Sequence, residues 1–154
     1  MTVMTIFLTD DTATTRFGHL LATLLQTGDC VALVGDIGAG KTALSRSIIQ
    51  ARLGRAEDVP SPTFTLVQTY DAPDGDIWHC DLYRLTSPDE VLELGLDEAF
   101  DTAICLIEWP DRLGDELPKD AIIFEFTAKE QGRQITATYP DYLAARIAPA
   151  FKDD

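Results

Sequence analysis

Two kinds of hydrophobic pattern run along this chain, and the first of them predicts helices. Apolar residues recur at helical spacing early in the chain, which predicts a helix capped by Asp11 or Thr12 and ended by Gly28. The same spacing predicts a second helix from about Gly40 to Leu53, which stops at Gly54. The two longest predicted helices therefore lie near the start of the chain.

Two shorter helices are predicted further along. Ser87 is a cap residue, Pro88 would occupy the first helical position, and Glu90 lies three residues after the cap, which together form a capping-box pattern. A last short helix is predicted from about Asp141, and an acidic tail follows it. Most of the chain between these helices carries the second pattern.

The second pattern is that of short strands. The continuous apolar run at 30–35 is expected of a strand that is buried on both faces of a parallel sheet, and residues 103–109 are predicted to form a second buried strand. Two hairpins are also predicted, one turning at 71–76 and the other near 129–132. The predicted strands cover 5–9, 30–35, 64–70, 76–83 and 103–109, with the late hairpin inside 121–139. This order indicates an α/β sandwich with a mixed central sheet, made of a single domain that spans residues 1–154.

Composition narrows the classes of protein to consider. The chain has 154 residues, enough for one domain with a hydrophobic core, and no apolar run reaches the roughly 18 residues of a membrane span. Its start lacks the basic segment of a signal peptide. Cys30, Cys80 and Cys105 are predicted to be buried free thiols, which suit a reducing compartment. We therefore expect a cytoplasmic protein without a membrane partner.

The charge is strongly acidic. Twelve Lys and Arg side chains stand against twenty-six Asp and Glu side chains, which gives a net charge of −14. A field of this sign repels phosphodiester backbones, so strong direct binding of nucleic acid is not expected. Two explanations of the charge stay open, namely a basic protein partner and simple solubility.

A glycine-rich loop carries the most specific chemical signal in the chain. Gly35, Gly40, Lys41 and Thr42 fit the pattern G-x-x-x-x-G-K-[ST], between a buried strand and an amphipathic helix. Such a loop points its N–H groups at a phosphate, the lysine neutralises β/γ oxygens and the threonine hydroxyl binds Mg²⁺. The predicted nucleotide-binding positions of the loop are Gly35, Asp36, Gly38, Ala39, Gly40, Lys41 and Thr42. The sequence therefore predicts a nucleoside triphosphate and Mg²⁺ as cofactors.

Other residues narrow the nucleotide and complete the site. The sequence contains no asparagine, so the Asn-Lys-x-Asp segment with which GTPases read guanine is absent, and ATP is favoured. Two apolar strands end in an acid, Asp81 and Glu108, at the sheet edge where ligands bind in open α/β sheets. Either acid alone could simply begin a solvated loop. Their presence together with a phosphate loop favours a catalytic role for at least one of them.

Three further features allow two interpretations each. Ser61 and Thr63 lie in the segment SPTF, which is either a switch that senses the γ-phosphate or an ordinary proline-rich turn. His79 lies inside a strand and is more often a packed or supporting histidine than a metal ligand. Trp78 and Trp109 are core aromatics by default, although either could lie against a nucleotide.

Five linked motifs resemble one protein family. They read GDIGAGKTALSR, SPTFTLV, HCDLYRL, ELGLDEAF and LIEWPDRL followed by ELP, and they run in the family's order from about Gly35 to Pro118. This set is similar to the bacterial ATPase of tRNA threonylcarbamoyladenosine biosynthesis, called TsaE or YjeE. The resemblance implies a P-loop NTPase-like fold with a mixed central sheet.

The resemblance also implies an activity and partners. Members of this family hydrolyse ATP weakly alone and faster in complex with TsaB and TsaD, which build the threonylcarbamoyl group and attach it to an adenosine beside the anticodon. The ATPase is expected to reset the complex between turnovers and to meet tRNA only indirectly. That division of labour agrees with the acidic charge of the chain.

Single residues acquire expected roles from the matching motifs. Lys41 and Thr42 match the phosphate and Mg²⁺ residues, and Asp81 and Glu108 match the family's acids, with Glu108 favoured near Mg²⁺ or the attacking water. Trp109 matches the tryptophan after that acid and is expected to contact the nucleotide. The expected catalytic residues are thus Lys41, Asp81 and Glu108, and the expected metal ligands are Thr42 and Glu108.

Of the remaining motif residues, Thr63 lies in the switch-like segment, and Tyr83 and Arg84 lie in DLYR. The chain departs from the family pattern at two positions. Many members read KTTLxRG after the loop, whereas this chain has Ala43 and Ser47. Because Thr42 is retained, the Mg²⁺ ligand is still expected. The close helix packing that the family's glycine would permit is put in doubt.

Two other functions are compatible with a phosphate loop. A small-molecule kinase would need a lid with arginines, for which Arg52 and Arg55 are candidates, although no acceptor site is evident. A nucleotide-dependent binding module would use ATP as a switch without hydrolysing it. The sequence leaves open which acid contacts Mg²⁺, and whether Arg84, Arg112 or a partner supplies an arginine finger.

Overall fold

The computed structural model describes residues 1–152 and consists of a seven-stranded sheet with helices on both faces. The strands are β1 (Thr2–Leu8), β2 (Cys30–Val34), β3 (Val67–Ala72), β4 (Gly75–Asp81), β5 (Ala103–Glu108), β6 (Ile122–Ala128) and β7 (Arg133–Tyr139). The α-helices are α1 (Asp11–Leu24), α2 (Lys41–Leu53), α3 (Asp89–Leu92), α4 (Leu96–Thr102) and α5 (Ala144–Ile147). Short 3-10 segments lie at Pro110–Glu116, Asp141–Leu143 and Ala148–Phe151. Within these described residues, no helix has the length and apolarity needed to cross a membrane.

The sheet has a parallel centre and antiparallel margins. Its strand order is β1-β7-β6-β2-β5-β4-β3, with β2 in the middle. Strands β6, β2, β5 and β4 are parallel to one another, whereas β3 pairs with β4, β7 with β6 and β1 with β7 in antiparallel register. This arrangement confirms the predicted α/β class with a parallel core and antiparallel hairpins.

The central strands β2 and β5 are apolar up to their carboxyl ends because each of their faces contacts a different cluster. Val31 and Leu33 of β2 pack in the cluster that contains α1 and α2. Cys30 of the same strand, together with Cys105 and Ile107 of β5, packs in the second cluster, which contains α4 and the segment after β5. Successive side chains of a strand point to opposite faces, so a strand covered on both sides needs apolar residues at every position.

Helices α1 and α2 pack closely at Gly18. A Cβ atom at Gly18 would collide with the side chain of Ser47, whose hydroxyl donates to the Thr15 carbonyl at 2.8 Å. The glycine that allows close approach therefore lies on α1, opposite the position where many family members have a glycine on α2. The departure at Ser47 does not prevent close packing of these two helices.

Several predicted boundaries are wrong, and local capping explains them. Asp10, not Asp11 or Thr12, caps α1, because its carboxylate accepts from the Ala13 N–H at 2.8 Å. The same helix ends at Leu24 and not at Gly28, since the Asp29 carboxylate accepts from the Gln26 N–H and stabilises a turn there. Such side-chain bonds compete with the helix for backbone donors.

Two strands also begin at residues other than the predicted ones. Strand β1 begins at Thr2, three residues before the predicted start, because it pairs along its whole length with β7. Strand β3 begins at Val67 and not at 64, since a turn closed by the Leu66 N–H and the Pro62 carbonyl precedes it. Only one half of the predicted capping box is present: the Glu90 carboxylate accepts from the Ser87 N–H, but α3 begins at Asp89, with Pro88 and not Ser87 as its cap residue. The acidic tail was predicted to include residues 153 and 154, which lie outside the described residues.

Candidate functional site

The loop from Gly35 to Gly40 connects β2 to α2 at the carboxyl edge of the parallel strands. Gly40 adopts a φ of 107°, which L side chains rarely adopt, and it is the residue that caps α2. Among residues 1–152 no side chain caps this helix, so the N–H groups of its first turn are available to a ligand. Backbone donors at the start of a helix form a site for an anion, and a phosphate group has the matching charge and acceptors.

Lys41 extends from the first turn of α2 into the loop. It is buried, its Nζ donates to the Gly35 carbonyl at 2.6 Å, and it lies 3.8 Å from the centre of the Trp109 ring. Burial lowers the pKa of Lys41 from its ordinary value, and the nearby carboxylates of Glu108 and Asp81 oppose that change. The ammonium is thus held at the base of the loop, where it can pair with phosphate oxygens.

Glu108 is the buried acid at the end of β5. Its carboxylate accepts from the Thr42 hydroxyl at 3.0 and 3.2 Å and contacts His79 Nε2 at 2.7 Å. With its hydrogen on Nε2, His79 donates to this carboxylate. Both His79 and Glu108 are almost completely buried. The carboxylate is therefore fixed between the phosphate-loop helix and strand β4.

Asp81 is the buried acid at the end of β4. Its Oδ2 accepts from the Thr63 hydroxyl at 3.1 Å, and its Oδ1 accepts from the Tyr83 N–H at 3.1 Å. Thr63 in turn shares a 2.8 Å hydrogen bond with Ser61. The proline-rich segment that contains SPTF thus contacts the site through one hydroxyl bond to this acid.

The two acids are neighbours because β4 and β5 are parallel. Asp81 and Glu108 are paired in the register of these strands, so the two carboxylates leave the sheet at the same edge. The sequence could show that each strand ended in an acid but not that the strands were adjacent. The oxygen ligands present here, a hydroxyl and carboxylates, are those that Mg²⁺ prefers, and Thr42 and Glu108 are close enough to share one ion.

Trp109 has an unusual backbone conformation. Its φ and ψ of 58° and 54° lie in the left-handed region, which costs a non-glycine residue roughly 1 kcal/mol or more. The conformation ends β5 abruptly and brings the indole over Lys41, where it also packs against the Tyr83 ring with centroids 5.0 Å apart. The tryptophan is part of the site wall and is only partly buried.

A cavity of about 570 Å³ brings most of the predicted residues together. The predicted positions that line it are Gly38, Gly40, Lys41, Thr42, Thr63, Asp81, Glu108 and Trp109. Gly35, Asp36 and Ala39 do not line it and instead face a neighbouring depression on the other side of the loop. Those three residues therefore form the side of the loop that faces away from the cavity.

Sequence reasoning missed three parts of this site. Asp11 and Arg133 line the cavity although they lie in no recognised motif, and they form an ion pair at 3.2 Å. His79 was expected to be a packed or supporting residue, but its contact with Glu108 could not be read from the sequence. Of the arginines considered as a finger, Arg84 lines the cavity, whereas Arg112 lies outside its wall. Only knowledge of which strands and helices are neighbours could have revealed these contacts.

The sheet order, the loop after the central strand and the acids beside it define a P-loop NTPase-like α/β protein. A family model described as "Threonylcarbamoyl adenosine biosynthesis protein TsaE" matches residues 8–135. This chain belongs to the TsaE family.

Individual relatives agree with this assignment. A curated tRNA threonylcarbamoyladenosine biosynthesis protein TsaE from Haemophilus influenzae is 35% identical, over 99% of this chain and 100% of its own length. The protein of the same name from Rickettsia bellii is 44% identical over 75% of this chain and 80% of its own length. Among solved structures, the crystal structure of Bacillus subtilis YdiB superposes with a TM-score of 0.79 at 26% identity, covering 97% of this chain and 94% of that one.

Proposed function

We propose that this protein is an ATP hydrolase that serves the enzymes which form threonylcarbamoyladenosine in tRNA. The observation that carries the proposal is the contact between the Thr42 hydroxyl and the Glu108 carboxylate, at 3.0 Å. It joins the phosphate loop to a buried acid, which is the pairing that hydrolysis of a bound triphosphate requires. Membership of the TsaE family supplies the pathway.

The chain's own residues would divide the work as follows. The loop N–H groups and the Lys41 ammonium bind the phosphate chain and offset its charge. Glu108 orients the attacking water and accepts its proton, and His79 holds the carboxylate in place. Thr42 and Glu108 would hold Mg²⁺, and the bound ion would neutralise charge on the phosphate oxygens.

The segment around Thr63 would act as the switch. Thr63 contacts Asp81 beside the end of the cavity where Glu108 lies, and the neighbouring Phe64 is 83% exposed. A γ-phosphate at that end would compete for the Thr63 hydroxyl and would move the segment. An exposed aromatic on a segment that responds to nucleotide offers a partner a surface that changes with hydrolysis.

The proposed partners are the proteins TsaB and TsaD in the cytoplasm. These partners are implied by the resemblance of the five motifs to the TsaE family. The net charge of −14 supports an arrangement in which the other subunits bind the tRNA. Hydrolysis would reset the TsaB–TsaD complex between turnovers, and the transfer to adenosine would occur on the other subunits.

The kinase alternative receives less support from the arginines that it requires. Arg52 donates to the carbonyls of Ala22 and Leu25 at the end of α1, and Arg55 pairs with Glu57. Neither lines the cavity. Both arginines therefore have structural partners away from the place where a lid would close.

Phosphate release from ATP by the purified chain, with and without the TsaB–TsaD pair, tests the proposal. We expect slow release by the chain alone and an increase of at least about tenfold when the pair is present. The matched control is Lys41→Ala, which should abolish release under both conditions because it removes the phosphate ligand. The proposal fails if the pair neither binds the chain nor changes its turnover. Transfer of phosphate to a metabolite without any partner would favour the kinase.

A further inference from the structure

We propose that Arg133 is an additional nucleotide-binding residue, which donates from its Nη1 to the α- or β-phosphate of the nucleotide. This inference rests on the proposed ATP binding and extends it to a residue outside the recognised motifs. Arg133 is the first residue of β7, and its side chain reaches back to the phosphate loop.

The guanidinium lies directly over the loop. A Cβ atom at Gly40 would collide with Nη1 and Cζ of Arg133, so the arginine occupies the space that any larger residue at position 40 would fill. The side chain also lines the same cavity as Lys41 and Thr42. A second cation is thus placed beside the first turn of α2, where the inner phosphates of a nucleotide would lie.

One half of the guanidinium is held and the other half is free to bind. Nη2 pairs with the Asp11 carboxylate at 3.2 Å, and this contact orients the fork. Nη1 is buried and has no hydrogen-bond partner within residues 1–152. A buried donor without a partner is costly, and a phosphate oxygen in the cavity would satisfy it with a charge-assisted bond.

The sheet order shows which end of the nucleotide Arg133 would meet. Strand β7 lies on the side of β2 opposite to β5 and β4, which carry Glu108 and Asp81. The acids and Thr63 mark the end where the γ-phosphate would be cleaved. Arg133 approaches from the other side and should therefore contact phosphate groups that ADP and ATP share.

Calorimetric titration of the intact chain with ADP and with a non-hydrolysable ATP analogue, each with Mg²⁺, tests the inference. We expect Arg133→Gln to weaken both nucleotides by a similar factor, about 10- to 100-fold, as for loss of a hydrogen bond to a charged group. Arg133→Lys should recover part of the loss because it keeps the charge without the fork. The matched control is Lys129→Gln, which removes the same charge from an exposed position of the same hairpin and should change neither affinity more than about twofold.

The outcomes separate this inference from the proposed function. If the unaltered chain binds neither nucleotide, the proposed ATP binding fails. If the unaltered chain binds both and Arg133→Gln binds equally well, the function stands and the role of Arg133 is overturned. A loss confined to the ATP analogue also overturns it, because it would place Arg133 at the γ-phosphate. Should Arg133→Gln not fold, Arg133→Lys decides the matter, since lysine has no Nη1 held in place by Asp11, and unchanged affinity for both nucleotides would overturn the proposed bond.

Discussion

The Glu108 side chain shows how a buried acid can be kept ready for chemistry. It accepts hydrogen bonds from Thr42 on one side and His79 on the other, so its carboxylate is satisfied although it is only 3% exposed. Only the Thr42 partner belongs to the phosphate loop. The carboxylate can therefore exchange that partner for a metal or a water while His79 continues to hold it.

Replacing Glu108 by glutamine separates binding from hydrolysis. The amide has nearly the shape of the carboxylate but cannot accept the proton of the attacking water. We expect Glu108→Gln to reduce phosphate release by at least about 100-fold in single-turnover assays, and to leave the dissociation constant for ADP within about threefold in calorimetry without Mg²⁺. Unimpaired release would show that another group, with Asp81 the first candidate, is the base.

At the scale of elements, the sequence predicted those parts of the fold that have a local cause. The apolar runs of β2 and β5 and the glycine that ends α2 each follow from residues a few positions apart. The end of α1 and the start of β3 were wrong because a side chain or a turn outside the periodic pattern decides them. Hydrophobic periodicity carries no information about such competing hydrogen bonds.

In the candidate site, too, the sequence predicts the residues that lie in local motifs and does not predict the contacts between distant parts of the chain. The loop and the two acids stand in motifs, so the sequence could place them in one site. The pairing of His79 with Glu108 spans 29 residues and that of Arg133 with Asp11 spans 122, and both depend on which strands and helices are neighbours. The order of strands in a sheet is a property of the folded chain, and local patterns do not specify it.

The contact between α1 and α2 should be sensitive to a single methyl group. Gly18→Ala places a Cβ atom against Ser47, and because both helices are buried at this point we expect a loss of about 1–3 kcal/mol in the free energy of unfolding. Denaturant unfolding measures it. His19→Ala, at an exposed position of the same helix, should change the stability by less than about 0.5 kcal/mol.

A second substitution tests the cause of that loss. Ser47→Gly removes the side-chain atoms with which the new methyl group collides. In a double-mutant cycle the two substitutions should therefore be less destabilising together than the sum of the single effects, by about 1–2 kcal/mol. Simple additivity would show that Gly18 is needed for another reason.

At the scale of the whole molecule, the sheet has two separate cores and all three thiols lie in one of them. Cys30, Cys80 and Cys105 are free, buried and packed in the cluster beneath α4, as the sequence predicted. Burial raises the pKa of Cys105 from its ordinary value of 9.0 to about 12. It also raises the pKa of Cys30 and that of Cys80 well above 9.0. Thiols in this core are protonated in the folded state.

The stability of the protein should consequently fall in alkaline solution. Below about pH 9 the Cys105 thiol is protonated both folded and unfolded, and it contributes no pH dependence. Between about pH 9 and about pH 12 it ionises only in the unfolded chain, so the free energy of unfolding falls by up to about 1.4 kcal/mol per pH unit. Chemical unfolding at several pH values measures the slope. Cys105→Ala is the control and should have the shallower slope, whereas equal slopes would contradict the protonation of the buried thiol.

The order of the strands also governs when this molecule can fold during synthesis. Strand β2, which leads into the phosphate loop, is complete by residue 34, but its neighbours β5 and β6 begin only at residues 103 and 122. Pairing of the N-terminal strand β1 is possible later still, because its partner β7 ends at residue 139. A ribosome-bound chain therefore carries an apolar β2 with no strand beside it until most of the protein has been made. Such a segment is what holding chaperones bind.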